Sequence, residues 1–166
     1  FFVVGTYNGW DNSDKADFII STATNSEAQG YVWFPEAGAF KLTTDHSWDD
    51  PHTFGDNGSG QLTNPGSDIK VNTAGYQFIK ANLSDMSYSV TPTTWGLIGS
   101  ATPGGWDNQT DMTYITAAKI LALGIHLKAG EFKFRGTPSW SVNYGATAGS
   151  LVFDGPNISV ATEDDY

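Results

Sequence analysis

The sequence predicts an all-β protein: two tandem immunoglobulin-like β-sandwich modules, the second lacking one or two C-terminal strands. Three observations carry this. An internal repeat spans nearly the whole of the 166 residues. The composition is turn-rich, with 19 Gly, 7 Pro and 14% aromatic residues, which favours strands and turns over helices. Short apolar runs alternate with clusters of Gly, Asn, Asp, Ser and Pro, the pattern of strands separated by turns.

The repeat is read first, because a missed repeat misassigns the whole architecture. Val3-Val4-Gly5-Thr6 followed by Asn8-Gly9-Trp10-Asp11-Asn12 returns as Leu97-Ile98-Gly99-Ser100 followed by Gly104-Gly105-Trp106-Asp107-Asn108. Glu36-Ala37-Gly38-Ala39-Phe40-Lys41-Leu42 returns as Lys128-Ala129-Gly130-Glu131-Phe132-Lys133-Phe134. Ser47-Trp48 matches Ser139-Trp140, Phe54-Gly55 matches Tyr144-Gly145, and Leu62, Gly66, Ile69 and Val71 match Leu151, Gly155, Ile158 and Val160. The offset drifts from 94 (Val3 to Leu97) to 89 (Leu62 to Leu151), as loops of differing length between fixed strands produce.

The first module is assigned to residues 1–91, the linker to 92–94 and the second module to 95–166. Strands are expected over 1–6, 30–34, 38–43, 68–71, 76–81 and 87–90, then 95–100, 120–127, 130–135 and 157–160. Residues 117–127 have helix-forming composition, but Leu121, Leu123, Ile125 and Leu127 alternate, so a strand is expected. The second module ends before any counterpart of residues 75–83 and 88–90. Either the chain is a fragment or those strands come from elsewhere, since an unpaired sandwich edge is aggregation-prone.

Composition narrows the partners. The formal net charge is −10, with 8 Lys and Arg, so nucleic acid and anionic membrane surfaces are disfavoured. A neutral polysaccharide or oligosaccharide meets no such repulsion. The absence of Cys removes disulfides, thiol nucleophiles and Cys-ligated metals, and points to a bacterial extracellular module. The chain opens at Phe1 with no leader and reads as an internal piece of a longer protein.

The candidate site follows from strand alternation. In 130–140, Phe132 and Phe134 share one face and Lys133 and Arg135 the other; in the first module Phe40 and Leu42 oppose Lys41 and Thr43. With the apolar residues inward, the cations are expected to face solvent beside Trp140 or Trp48. A flat indole next to cationic donors suits a sugar, whose C–H face stacks on the ring while its hydroxyls accept hydrogen bonds. A single Trp in a sandwich belongs more often in the core, but six indoles do not fit easily in two small cores. Trp33, alternating with Tyr31, is assigned to the core. Trp10 and Trp106 lie in Gly-Trp-Asp turns, where burial as a plug and display remain equally open.

Other clusters carry less. Asp45, Asp49, Asp50, Asp56 and Asn57 offer oxygen ligands but lack calcium-loop spacing, and the second module does not reproduce them, so they read as solvated loop. His46, His52 and His126 show no metal-ligand spacing. The sequons at Asn57, Asn82, Asn108 and Asn157 matter only in a eukaryotic secretory pathway. A glycosidase needs two carboxylates across a cleft; only Asp11 and Asp107 recur, in turns where Asp caps the backbone. No catalytic residue, metal or cofactor is assigned.

The combination of Gly-Trp-Asp, Ala-Gly-Glu-Phe-Lys-Phe-Arg and Trp140-Ser-Val-Asn143-Tyr144-Gly145 resembles the modules of the SusE/SusF family of outer-membrane starch-binding lipoproteins. The resemblance implies non-catalytic capture of starch or another α-glucan on the extracellular face of a bacterial outer membrane. It further implies an anchor through an upstream lipidated cysteine, absent here, and an outer-membrane uptake complex as neighbour. Its aromatic-plus-cation site maps onto Trp106, Lys133, Arg135 and Trp140 in the second module. In the first it maps onto Trp10, Lys41 and Trp48, with Thr43 in place of the arginine. The competing readings are a structural or adhesive β-sandwich spacer and an accessory module of a larger glycoside hydrolase.

Overall fold

The computed structural model describes residues 1–21, 26–137 and 140–166. It is all-β, built from antiparallel sheets, and divides into two compact units, Phe1–Pro92 and Thr93–Tyr166. Among the described residues no helix is long and apolar enough to cross a membrane.

Unit 1 is a two-layer sandwich. Its first sheet contains β1 (Phe2–Gly5), β2 (Asp17–Phe18), β5 (Gly38–Thr43), β6 (Thr53–Asp56), β7 (Leu62–Thr63) and β8 (Ile69–Val71); the second contains β3 (Ile20–Ser21), β4 (Glu27–Phe34), β9 (Gly75–Asn82) and β10 (Ser87–Thr93). The first sheet runs β2-β1-β5-β6-β7, with β8 also paired to β5, and the second runs β10-β9-β4-β3. Val3, Phe40, Leu42 and Ile69 from the first layer meet Ala28, Val32, Phe34 and Ile79 from the second in one buried cluster. Burial of such side chains is worth about 1.5–3 kcal/mol each, so this cluster is what holds the layers together.

Unit 2 repeats the first sheet with the same connectivity. Its strands are β11 (Trp95–Ile98), β12 (Thr110–Asp111), β16 (Gly130–Gly136), β17 (Asn143–Thr147), β18 (Ser150–Phe153) and β19 (Ile158–Val160). They run β12-β11-β16-β17-β18, with β19 paired to β16. The register agrees residue by residue: Val3 opposes Leu42 as Leu97 opposes Phe134, and Phe40 opposes Ile69 as Phe132 opposes Ile158. A shared glycine shows why the repeat keeps its spacing. A Cβ on Gly55 would strike the Ser67 carbonyl, and one on Gly145 the Pro156 carbonyl, so only Gly permits that backbone approach.

The second layer differs. Unit 2 has β13 (Thr113–Ile115) paired with β14 (Ile120–Ala122), and β15 (His126–Leu127) paired with β20 (Asp164–Asp165). The continuous strand expected over 120–127 is therefore two short strands separated by residues 123–125, with Gly124 at the break. Its buried core is Leu97, Ala101, Leu127 and Val160.

Two further expectations are corrected. Trp33 is not in the core: Val32 and Phe34 point inward, while Tyr31 and Trp33 lie half-buried on the outer face, Tyr31 stacked on Phe78 and Trp33 edge-on to Tyr76. When both faces of a strand carry apolar residues, alternation alone does not choose between them. Pro92 and Thr93, expected in the linker, form the end of β10.

Candidate functional site

The outer face of the first sheet in each unit is covered by loops. Val4 and Ile98 alternate with core residues and so point away from the core, yet both are fully buried. The loop after each strand turns back over them through a glycine in the left-handed region, Gly9 at φ 67° and Gly105 at φ 61°, which places the following Trp10 or Trp106 over the sheet. The second indole of each pair, Trp48 or Trp140, comes from the loop after β5 or β16. The ring centroids of Trp106 and Trp140 are 6.1 Å apart at 40°, and those of Trp10 and Trp48 are 6.3 Å apart at 49°. The paired indoles are thus part of the repeat. Trp106 is 39% exposed and Trp140 45% exposed, so this pair presents open ring surface.

The side chains beneath distinguish the units. In unit 2 the Arg135 guanidinium carbon lies 4.9 Å from the Trp140 ring centroid. Arg135 Nε donates to Gln109 Oε1 at 2.9 Å, and Gln109 Nε2 donates to Asp111 Oδ1 at 2.9 Å and to the Thr94 carbonyl at 3.2 Å. This chain fixes the plane of the guanidinium against the indole. A planar cation stacked on a ring is a geometry that lysine does not reproduce.

Lys133 does not face open solvent as expected. Its side chain is 14% exposed, and Nζ donates to Asn143 Oδ1 at 2.7 Å, with Asp154 Oδ1 4.0 Å away. Asn143 is buried and donates through Nδ2 to the Trp140 carbonyl at 2.9 Å and to Asp154 Oδ1 at 3.1 Å. Lys133 therefore acts on the site through Asn143, which holds the backbone that carries Trp140. Ser139, paired with Ser47 in the repeat, lies outside the described residues.

In unit 1 Lys41 is likewise engaged: Nζ donates to the Gly66 carbonyl and lies 3.6 Å from Asp68 Oδ1. Thr43, at the arginine position, is fully buried, and its hydroxyl donates to Asn12 Oδ1 at 3.1 Å. Asn12 Nδ2 donates to the Ser47 carbonyl at 3.2 Å, tying the two Trp-bearing loops together. Trp48 is exposed and Trp10 half-buried. Among the described residues, cation–ring contacts are Lys80 over Phe78 and Arg135 over Trp140; neither involves the unit 1 Trp pair.

The sequence reasoning did not find Gln109 or the linking role of Asn143. Gln109 carries no signal, being one amide in a polar turn; Asn143 was visible only as part of the Trp-Ser-Val-Asn-Tyr-Gly run. The acidic loop of unit 1 is occupied with its own turns: Asp45 Oδ1 accepts from the Ser47 amide at 2.8 Å, Oδ2 lies 3.0 Å from His52 Nδ1, and Asp56 Oδ1 accepts from the Gly60 amide at 3.0 Å. Asp11 caps in the same way, accepting from the Ser13 amide; the Ser13 hydroxyl first, and then that amide, hold its carboxyl below the usual carboxylate range. Among the described residues no group of three His, Asp or Glu is placed to hold a metal ion.

A scan against protein-family models and a search of curated protein sequences each return no match for the chain.

Proposed function

We propose that the protein is a non-catalytic glycan-binding protein whose principal site is the Trp106–Trp140 pair of unit 2, with starch or another α-glucan as its ligand. The observation that carries this is the pair of half-exposed indoles tilted at 40° with a fixed guanidinium against one of them. Two apolar ring faces accept the C–H faces of a bent neutral sugar chain, and Arg135 donates to its hydroxyls. A net charge of −10 repels nucleic acid and acidic glycans but not a neutral polysaccharide. Asp111 and Asp154, two of the carboxylates near the site, accept hydrogen bonds from Gln109 and from Asn143, which supports a structural role for these two. The resemblance to SusE/SusF modules supports display on a bacterial outer membrane beside an uptake complex.

Affinity electrophoresis through amylopectin, with xylan and levan gels as controls, tests this reading. Amylopectin retards the wild-type chain, and Trp140→Ala abolishes the retardation while circular dichroism stays unchanged. Wild-type migration indifferent to every glycan would overturn it.

A further inference from the structure

We propose that Gly96 is a specificity-determining position of unit 2: by leaving room for Gln109 it fixes the Arg135 stack on Trp140, and the residue at the same strand position bars that stack in unit 1. The effect of Gly96 on affinity rests on the glycan reading, whereas its effect on the guanidinium rests on the geometry of unit 2 alone.

The strand register compares the two units position by position. In unit 2 Gly96 opposes Arg135 on one side and Asp111 on the other. The same position in unit 1 is Phe2, which opposes Thr43 and Phe18. One step along, Leu97 opposes Thr110 as Val3 opposes Asp17. The residue just before the short partner strand is therefore Gln109 in unit 2 and Ala16 in unit 1. Three positions change together: Gly96, Gln109 and Arg135 in one unit stand where the other has Phe2, Ala16 and Thr43.

Contact explains why they change together. Leu97 belongs to the core, so position 96 faces outward. A Cβ on Gly96 would lie 2.6 Å from Gln109 Cγ and 2.8 Å from Gln109 Nε2, and would strike the Thr110 carbonyl. The φ of Gly96 is not positive, so contact alone, and not backbone conformation, excludes a larger residue. Gln109 is not free to swing away. Its Oε1 accepts from Arg135 Nε, and its Nε2 donates to the Thr94 carbonyl and to Asp111 Oδ1. Any side chain at 96 must therefore displace residues 109 and 110, and with them the acceptor that orients the guanidinium. Unit 1 shows the alternative. Phe2 is half-buried with its ring centroid 4.2 Å from that of His46, and the small Ala16 is buried. In unit 2, with Nε given to Gln109, the two Nη groups of Arg135 have no acceptor among the described residues, and they are the donors left for a ligand.

The test compares the full wild-type chain with Gly96→Ala, Gln109→Ala and the double variant, first by NMR without ligand and then by titration with maltohexaose. In the wild type the indole ring current should displace the Arg135 δ-protons upfield. Gly96→Ala should remove most of that displacement, while amides in the pairing of β16 with β19 keep their protection to within about twofold. Affinity for maltohexaose should fall by about threefold in Gly96→Ala. The double variant should lose no more than the worse single variant, because both changes break one and the same bond. A displacement absent from the wild type, or retained in Gly96→Ala, overturns the proposal, as do losses that multiply in the double variant. Loss of β16–β19 protection in Gly96→Ala makes Gly96 a residue of the fold and overturns it as well. A wild-type chain that binds no maltohexaose overturns the affinity arm together with the glycan reading, and the ligand-free spectra still decide whether Gly96 sets the stack.

Discussion

Units 1 and 2 share a first sheet with the same register, yet they differ in what each face of that sheet meets. In unit 1 the inner face is sealed by β4, β9 and β10, while the outer face carries a Trp pair above a buried threonine. In unit 2 the inner face is partly open, while the outer face carries a Trp pair above a stacked arginine. The repeat thus fixes backbone pairing, and the fate of each face is decided by what covers it. Repetition of sequence is good evidence for strand register and poor evidence for burial, because burial belongs to the neighbouring layer.

The largest expected effect tests that statement at one repeat position. Leu62→Ala removes a buried side chain from a sealed core and should destabilise unit 1 by about 2–5 kcal/mol. Leu151→Ala, at the equivalent exposed position, should change unit 2 by less than about 0.5 kcal/mol. Guanidinium unfolding followed by amide exchange in each unit separates the two, since the units need not share one transition. A large cost at Leu151 would mean that unit 2 covers its inner face in solution, and the contrast between the units would fail.

The outer faces are compared through binding. Trp140→Ala should weaken amylopectin affinity by about tenfold or more, equivalent to about 1.4 kcal/mol, whereas Trp48→Ala should change it less than about twofold, because Trp48 has no guanidinium beside it. Equal losses at both positions would make the indole pair sufficient and Arg135 incidental. Arg135→Lys sharpens the same point. It keeps the charge and removes the planar stack, so a loss of about threefold is expected. Gln109→Ala, which frees the guanidinium without touching either ring, should show a similar or smaller loss. Titration calorimetry with a maltooligosaccharide measures both.

How much of this was legible in the sequence depends on the range of the forces involved. The pairing of Lys41 and Lys133 with the same strand positions followed from the repeat and from alternation, both local properties. That these lysines would be drawn under loops, onto Gly66 and Asp68 or onto Asn143, depends on residues 10 to 27 positions away. Nothing in a period-two pattern encodes that. The same limit explains Trp33: Tyr31, Val32, Trp33 and Phe34 are all apolar enough to face a core, and only the position of the first sheet selects Val32 and Phe34. The Trp pairs were visible as repeated residues, but their mutual contact required loops from two different strand ends to converge. The broken strand at 120–127 was hidden because Leu121, Leu123, Ile125 and Leu127 keep perfect alternation through Gly124.

The smallest expected effect concerns the pairing of β15 with β20 in unit 2. His126 lies between Asp165 and Glu163, with Nδ1 2.8 Å from Asp165 Oδ1 and Nε2 3.0 Å from Glu163 Oε1. The hydrogen bond to Glu163, then that to Asp165, raises the imidazole above its ordinary value of 6.5. A raised folded-state value means that the cation is the favoured partner, so this contribution is complete below 6.5 and fades as pH climbs through the raised value. Both carboxylates are largely solvated, so the effect on global stability is small. The local consequence is measurable, because these residues flank the pairing of β15 with β20. After correction for intrinsic exchange chemistry, protection of the Ile125 and Tyr166 amides should fall as pH rises from about 6 to about 8. The Glu163→Gln, Asp165→Asn double variant should flatten that dependence, whereas amides of β9 in unit 1, held by a full-length ladder with β4, should show none of it. A pH dependence of equal size in β9 would show that the two units open together, and the closure at His126 would then not be local.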